Sequence, residues 1–276
     1  MNRQNRGREV SKMSEAALTA MERVKLARRT DRPRVNAYIA DLFDDFFELH
    51  GDRLAADDAA LICGIATFEG LPVTVAGNVK GADMNGSIAV NFGMASPTGY
   101  RKFQRVARQA EKFNRPVITF IDTPGASPTA EAEEHGQGEA IARCLFELSD
   151  LRVPIIAVIT GEGGSGGALA LGLADRLIMF ENAVYSVLSP EGFASILWKD
   201  ATRAAEAAEV MKLTSKDLLR MGMVEAVIRE PRGGAGANRT AMMRSLRIAL
   251  RRMMSEVNAL DTDMLVSQRY AKYRKF

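Results

Sequence analysis

An α/β fold with parallel strand pairing follows from two patterns in the sequence. Residues 116–122 (PVITFID) and 153–160 (VPIIAVIT) are continuous β-branched and aromatic runs, as expected of strands buried on both faces. Segments with helical apolar spacing alternate with these runs and with shorter strand-like ones. Short strands and a loop-rich middle suit a compact layered sheet better than an eight-fold barrel.

In chain order, 14–28 reads as a helix, ended by Arg32-Pro33. Residues 36–49 read as a second helix, because Tyr38, Ile39, Leu42, Phe43, Phe46 and Leu49 recur at three- and four-residue spacing. His50-Gly51-Asp52 is a turn. Strands are expected at 60–68 and, after the turn Glu69-Gly70, at 72–78. Residues 80–94 are loop-like, and 98–113 form an amphipathic helix studded with Arg and Lys. Strand 116–122 is broken by Thr123-Pro124-Gly125-Ala126, and an acidic loop leads to a helix at 136–148. Strand 153–160 runs into a glycine cluster, 161–167 (GEGGSGG), followed by a small-residue helix at 168–174. Strands follow at 176–181 and 184–188, helices at 201–211 and 215–221, and a last strand at 224–228. A flexible joint at 231–236 precedes a long amphipathic helix at 240–260. Its residues Met242, Met243, Leu246, Ile248, Leu250, Met253, Met254 and Val257 lie largely on one side; Arg244, Arg247 and Arg251 point away. No internal repeat is present.

Of the 276 residues, 47% are apolar and 26% charged, which excludes a disordered, collagenous or coiled-coil chain. No apolar run approaches the ~18 residues of a membrane span, and no apolar segment precedes a cleavage site at the start, so no secretory signal is expected. Cys63 and Cys144 can form neither a zinc cluster nor a disulfide framework, which fits a reducing cytosol. With only His50 and His135, chemistry built on several histidines is not expected. Charge is unevenly placed. Residues 1–34 carry ten Lys/Arg against four Asp/Glu and residues 232–276 ten against three, whereas 35–231 carry seventeen against twenty-seven. An acidic body thus has basic ends, which are either solvated faces and docking arms or binders of an anionic partner. The run Glu131, Glu133, Glu134, His135 is either a solvated face or a cation site. Lys80, Arg101 and Lys102 are candidates for holding anions.

The glycine cluster is the strongest local signal, because glycine lets backbone amides approach a ligand and the following helix start adds unpaired N–H groups. A phosphate-cradling loop needs Lys then Ser/Thr after the last glycine; here Gly167 is followed by Ala168-Leu169-Ala170. The dinucleotide fingerprint is formally present as Gly161, Gly163 and Gly166, with Glu181 as the ribose-binding acid, but the intervening helix is barely two turns. The third reading is an oxyanion hole, with one amide from the cluster and a second from Thr123-Pro124-Gly125-Ala126, which ends the neighbouring buried strand. The bland alternative is two tight turns. Gly163-Gly164-Ser165-Gly166-Gly167 matches a nucleophile-elbow string, but no histidine follows His135 to serve as its base. A site with polarising amides and no protein base takes its base from substrate or cofactor.

These segments resemble a known family. NFGM at 91–94, GYRK at 99–102, ITFIDTPGA at 118–126, EAIAR at 139–143, GEGGSGGALA at 161–170, YSVLSPEG at 185–192 and ASILWK at 194–199 are similar to the carboxyltransferase alpha subunits of bacterial acetyl-CoA carboxylases, over about residues 32–231. The resemblance implies a crotonase-like (ClpP/crotonase) layered α/β fold as a carboxyltransferase domain at 35–231, with a basic extension at 1–34 and a basic helical extension at 232–276. It implies a zinc-bearing beta subunit as partner in an α2β2 assembly, together with a biotin carboxyl carrier protein and biotin carboxylase, all cytoplasmic. Its reaction moves a carboxyl group from carboxybiotin on the carrier to acetyl-CoA, giving malonyl-CoA for fatty-acid synthesis. By motif, Gly166 and Gly167 carry the amides that stabilise the biotin enolate, Gly125 and Ala126 form the facing loop, and Gly163, Gly164 and Ser165 bind biotin; no metal is implied in this chain. The family's GAYPG reads Gly125-Ala126-Ser127-Pro128-Thr129 here, its Arg before GQ is His135, and its H-x-K-G reads Asn78-Val79-Lys80-Gly81. Two other classes stay open on the residues alone: an NAD(P)-dependent oxidoreductase, and a non-enzymatic module that binds nucleic acid through its basic ends.

Overall fold

The structure, a computed structural model, describes residues 18–276. In chain order its elements are α1 (Ala20–Ala27), α2 (Val35–Leu42), β1 (Asp44–Glu48), β2 (Leu61–Phe68), β3 (Leu71–Asn78), α3 (Met84–Ala89), α4 (Pro97–Lys112), β4 (Val117–Thr123), α5 (Ala130–Glu134), α6 (Gln137–Asp150), β5 (Ile155–Gly164), α7 (Ser165–Gly172), β6 (Arg176–Phe180), β7 (Val184–Ser186), α8 (Pro190–Trp198), α9 (Ala204–Val210), α10 (Ser215–Met221), β8 (Ala226–Ile228), α11 (Arg239–Asn258) and α12 (Thr262–Tyr273).

One eight-stranded sheet runs in the order β1-β2-β3-β4-β5-β6-β8, with β7 also on β5. The pairs β1–β2 and β2–β3 are antiparallel and the remaining pairs parallel, so the sheet is mixed. Strand β5 divides its length: Ile156 to Ile159 pair with β6, and Glu162 to Gly164 pair with β7. Adjacent residues of β4 point to opposite faces. Phe120 stacks under Tyr38 of α2 at 5.2 Å between ring centroids, while the Thr119 hydroxyl donates to Leu171 O of α7 at 2.8 Å. Helices α2 and α7 therefore cover opposite faces, which is why β4 and β5 are apolar throughout. The main buried cluster runs from Val35 to Leu265, and a smaller one joins Ala20, Val24 and Ala27 of α1 to Val184, Ala208 and Leu213.

Local chemistry sets the helix starts. Thr19 and Glu22 form a reciprocal capping box on α1; its expected residues 14–17 lie outside the described ones. Asn238 and Asp261 cap α11 and α12.

Four expectations need correction. The helix expected over 36–49 stops at Leu42, because Phe43 is extended and Asp45 takes φ 53. Residues 44–48 instead form an edge strand, Phe47 opposite Ile65 and Glu48 opposite Gly64. The ring of Phe46 sits where a β-carbon on Gly64 would stand, 2.6 Å away, so a packing gap on β2 captures an aromatic whose spacing alone reads as helix. Second, the loop-like 80–94 contains α3, capped by Asp83, which accepts from Gly86 N–H. Third, α5 is a helix inside the acidic stretch, and Glu131, Glu133, Glu134 and His135 are all exposed on it: a solvated face. Fourth, the basic ends spend much of their charge internally. Arg28 pairs with Glu162 and Glu191, Arg239 with Asp41 and Arg251 with Glu69, while Arg32 and Arg269 are buried in ion pairs. Among the described residues no helix is long and apolar enough to cross a membrane.

Candidate functional site

Parallel pairing of β4 and β5 brings their C-terminal ends side by side, with Thr123 opposite Gly163. The two expected turns are therefore neighbours, and they touch through backbone. A β-carbon on Gly164 would stand 2.1 Å from Pro124 O, and one on Gly167 2.6 Å from Gly125 C and 2.7 Å from Ala126 N. Only glycine permits this approach. The structure thus sets Gly164 and Gly167 directly against Pro124, Gly125 and Ala126, whereas Gly163 packs by Tyr185 and Gly166 by Ile141.

The cluster is not the simple turn expected from its composition. Residues 161–164 continue β5, and α7 begins at Ser165, whose φ of 51 makes the sharp bend from strand to helix. No side chain caps α7, so its first-turn N–H groups, those of Gly166 and Gly167 included, have no capping acceptor at the positive end of the helix dipole. On the facing turn the Gly125 N–H donates to Thr123 Oγ1 at 3.1 Å. The Ala126 N–H has no acceptor among the described residues. The available donors are thus Gly166 and Gly167 on one side and Ala126 on the other, with Gly125 shaping the approach.

A line of ion pairs fastens the bases of both turns. Lys80 Nζ sits 2.7 Å from Asp122 Oδ1 and 3.1 Å from Glu162 Oε2. Asp122 directly precedes Thr123, and Glu162 lies within the glycine run. Asp122 Oδ1 also accepts the Glu162 N–H at 2.9 Å. Glu162 continues to Arg28 at 2.8 Å, and Arg28 to Glu191 at 2.7 Å. Burial pulls the Lys80 ammonium down and the two carboxylates pull it up by more, leaving it above its ordinary value. Lys80 is therefore a bridge between the turns and not an anion receptor. Lys102 is likewise spent, buried with its ammonium 2.5 Å from Asp57 Oδ1. Asp122 and Glu162 went unread in the sequence, although an acid embedded among glycines is itself a signal.

Neither hydrolase nor nucleotide chemistry fits this arrangement. The hydroxyl of Ser165 has no hydrogen-bonded His, Asp or Glu among the described residues. Replacing it by alanine is expected to leave turnover within about threefold, measured at saturating substrate; a loss of a hundredfold would restore Ser165 as a nucleophile. The dinucleotide reading fails because the parallel strands run in sequence order without a switch point, and the Glu181 carboxylate accepts the Glu230 N–H at 3.0 Å. Both cysteines are buried free thiols whose pKa burial pushes up to about 12, so they are inert at neutral pH. Among the described residues no group of three or more His, Cys, Asp or Glu is arranged to hold a metal.

Solved structures share this architecture. The transcarboxylase 12S chain with bound methylmalonyl-coenzyme A superposes with a TM-score of 0.66 at 21% identity, over 84% of this chain and 44% of that one. A Pseudomonas malonate decarboxylase hetero-tetramer with coenzyme A gives 0.65 at 18% identity, over 78% of this chain and 86% of that one. The shared fold is thus the layered crotonase type that the sequence motifs implied. Residues 2–276 match the family described as acetyl co-enzyme A carboxylase carboxyltransferase-like, and the chain belongs to that family. Its relatives include the acetyl-coenzyme A carboxylase carboxyl transferase subunit alpha of Clostridium botulinum (strain Eklund 17B / Type B), 56% identical over 92% of this chain and 93% of that protein. The corresponding subunit of Bacillus cereus (strain B4264) is 52% identical over 94% of this chain and 80% of that one.

Proposed function

We propose that this chain is the alpha-side carboxyltransferase subunit of an acetyl-CoA carboxylase, transferring a carboxyl group from carrier-borne carboxybiotin to acetyl-CoA to form malonyl-CoA for fatty-acid synthesis. The observation that carries the reading is the backbone contact between two turns that bear uncapped amides, the nearby carboxylates Asp122 and Glu162 being tied to Lys80. Carboxybiotin, when bound, supplies the carboxyl group and the basic atom. The chain's own residues do the rest: Gly166 and Gly167, faced by Ala126, donate N–H groups to negative charge developing on the ureido oxygen. Gly163, Gly164 and Ser165 shape the slot that admits the ring. The Lys80 bridge holds the two turns at fixed separation, so the donors need no rearrangement when charge develops.

In this reading residues 35–231 form the transferase body, flanked by the basic segments 1–34 and 232–276. The partners are a zinc-bearing beta subunit that receives the acetyl-CoA, in an α2β2 assembly, and the biotin carboxyl carrier protein loaded by biotin carboxylase, all in the cytoplasm. Support comes from the family match and from relatives named as one subunit of a multi-subunit carboxylase. The test is co-expression with a candidate beta subunit, mass measurement of the complex, and addition of carboxylated carrier with acetyl-CoA. Malonyl-CoA is the expected product. A correctly assembled complex that turns over none of acetyl-, propionyl- or longer acyl-CoA would sink the proposal.

A further inference from the structure

Away from the glycine turns, a cleft of about 830 Å³ opens between the 50–56 loop, α4 and α6. Five arginines line it, Arg53, Arg101, Arg105, Arg108 and Arg143, against the two carboxylates of Asp52 and Glu139. Two of the cations are neutralised where they stand: Arg108 by Glu147, and Arg143 by Glu139 at 2.7 Å. The other three are held by main-chain carbonyls. Arg53 Nη1 donates to His50 O at 2.8 Å, Arg105 donates to Gly51 O and His50 O at 3.1 Å each, and Arg101 Nη2 donates to His135 O at 2.6 Å. Carbonyls orient a guanidinium without cancelling its charge. Asp52 Oδ2 comes no closer to Arg101 than 4.0 Å and makes no hydrogen bond. Burial first, and then the neighbouring Arg53, hold the Arg105 guanidinium below its ordinary value. Gly136, the N-cap of α6, lines the same cleft, and no side chain caps that helix.

Three pre-oriented guanidinium forks converging in a concave space are the complement of phosphate oxygens. The volume falls within the ~300–1,000 Å³ range of small-molecule sites, which favours a compact polyanion over an acidic protein face. We propose that this cleft binds a nucleotide-type organic phosphate, with Arg53, Arg101 and Arg105 taking the phosphate oxygens. The site is separate from the amide turns, and the inference does not rest on their assignment. A free nucleotide and the 3′-phospho-ADP end of coenzyme A share this chemistry.

Calorimetric titration of the full chain with ADP, 3′-phospho-ADP, coenzyme A and polyglutamate at about 0.15 M salt tests the proposal, since screening at that ionic strength suppresses loose surface binding. At least one of the three phosphates is expected to bind saturably. Arg101→Gln and Arg105→Gln are each expected to weaken it tenfold or more, while Arg244→Gln on the exposed side of α11 leaves it unchanged. Preference for 3′-phospho-ADP and coenzyme A over ADP identifies the coenzyme as the source; equal binding of ADP identifies a free nucleotide. If Arg105→Gln loosens the 50–56 loop it supports, Arg53→Gln, an exposed position, carries the same expectation. Absence of binding by all three phosphates, an equal loss in Arg244→Gln, or tighter binding of polyglutamate would overturn it.

Discussion

Gly166→Pro is expected to lower turnover of the assembled carboxyltransferase by about 10²–10³ while the subunit stays folded. Removing one preorganised donor from an oxyanion-type site costs roughly 2.7–4 kcal/mol of barrier. Gly166 is the second residue of α7, and proline is tolerated in the first turn of a helix because its missing N–H has no intrahelical partner there. The substitution deletes that amide, and because proline also disfavours the left-handed backbone of the preceding Ser165 (φ 51), folding is measured alongside turnover. Gly166→Ala is the control, since it keeps the N–H. Its β-carbon would meet only the Ile141 side chain, at 3.3 and 3.5 Å, and activity close to the parent's is expected. Gly167→Ala reverses the logic. Every N–H survives, but the β-carbon would press on Gly125 and Ala126 and drive the facing turn away, so turnover falls although no donor is lost. Circular dichroism checks folding, and malonyl-CoA formation with the partner subunit and carrier checks chemistry. A folded Gly166→Pro protein with full turnover would falsify the assignment of the amide.

Strands β4 and β5 were legible because burial on both faces leaves an unbroken β-branched run, the strongest pattern a parallel strand writes. Long amphipathic helices were legible because one buried face repeats every three to four residues: α4 and α11 lie within two residues of their expected ends. Two kinds of feature were not. Where tertiary packing overrides local spacing, as at Phe46 over Gly64, the helix period at 43–49 is real but the chain obeys the sheet edge. Where glycine is chosen for closeness, intrinsic propensity misleads. Residues 161–164 have the composition of a loop, yet they finish β5 because Thr123 and β7 supply its ladder from both sides. The site's amides were readable from glycine spacing and the turn after β4, while its ionic frame was not. Lys80, Asp122 and Glu162 are separated by 42 and 40 residues of sequence, and only the parallel register joins them at 2.7 and 3.1 Å. The helix α8 was not expected, and α12 was expected only as part of the helical extension at 232–276; α12 proves to hold the base of the strand that carries the site.

Arg269→Leu is accordingly expected to destabilise the protein by about 3–5 kcal/mol, the range for breaking a buried ion pair from one side. At 0% side-chain exposure, Arg269 of α12 faces Asp175 at 2%. All five of its N–H donors are used: Nε and Nη2 on the Asp175 carboxylate at 2.9 and 2.8 Å, Nη1 on Leu148 O and Leu151 O at 2.8 and 2.6 Å, and Nη2 on Val153 O at 3.0 Å. Asp175 in turn accepts the Ile155 N–H at 2.7 Å, the first residue of β5. One guanidinium thus closes the α6–β5 connection and fixes the start of the strand whose other end is the glycine turn. Leucine would leave Asp175 charged and buried with three carbonyls unsatisfied, a penalty that surface pairs lack. Arg152–Asp263, at 53% and 86% exposure, is screened by solvent, so Asp263→Ala should change little. The double variant Arg269→Leu with Asp175→Leu removes the orphaned charge and should recover part of the loss, a non-additivity that a merely steric role for Arg269 would not produce. Thermal melts are expected to fall by roughly 10 °C for the single variant, at ~2–4 °C per kcal/mol for chains of this size. An Arg269→Leu melt matching the parent's would mean that α12 contributes no anchorage to β5.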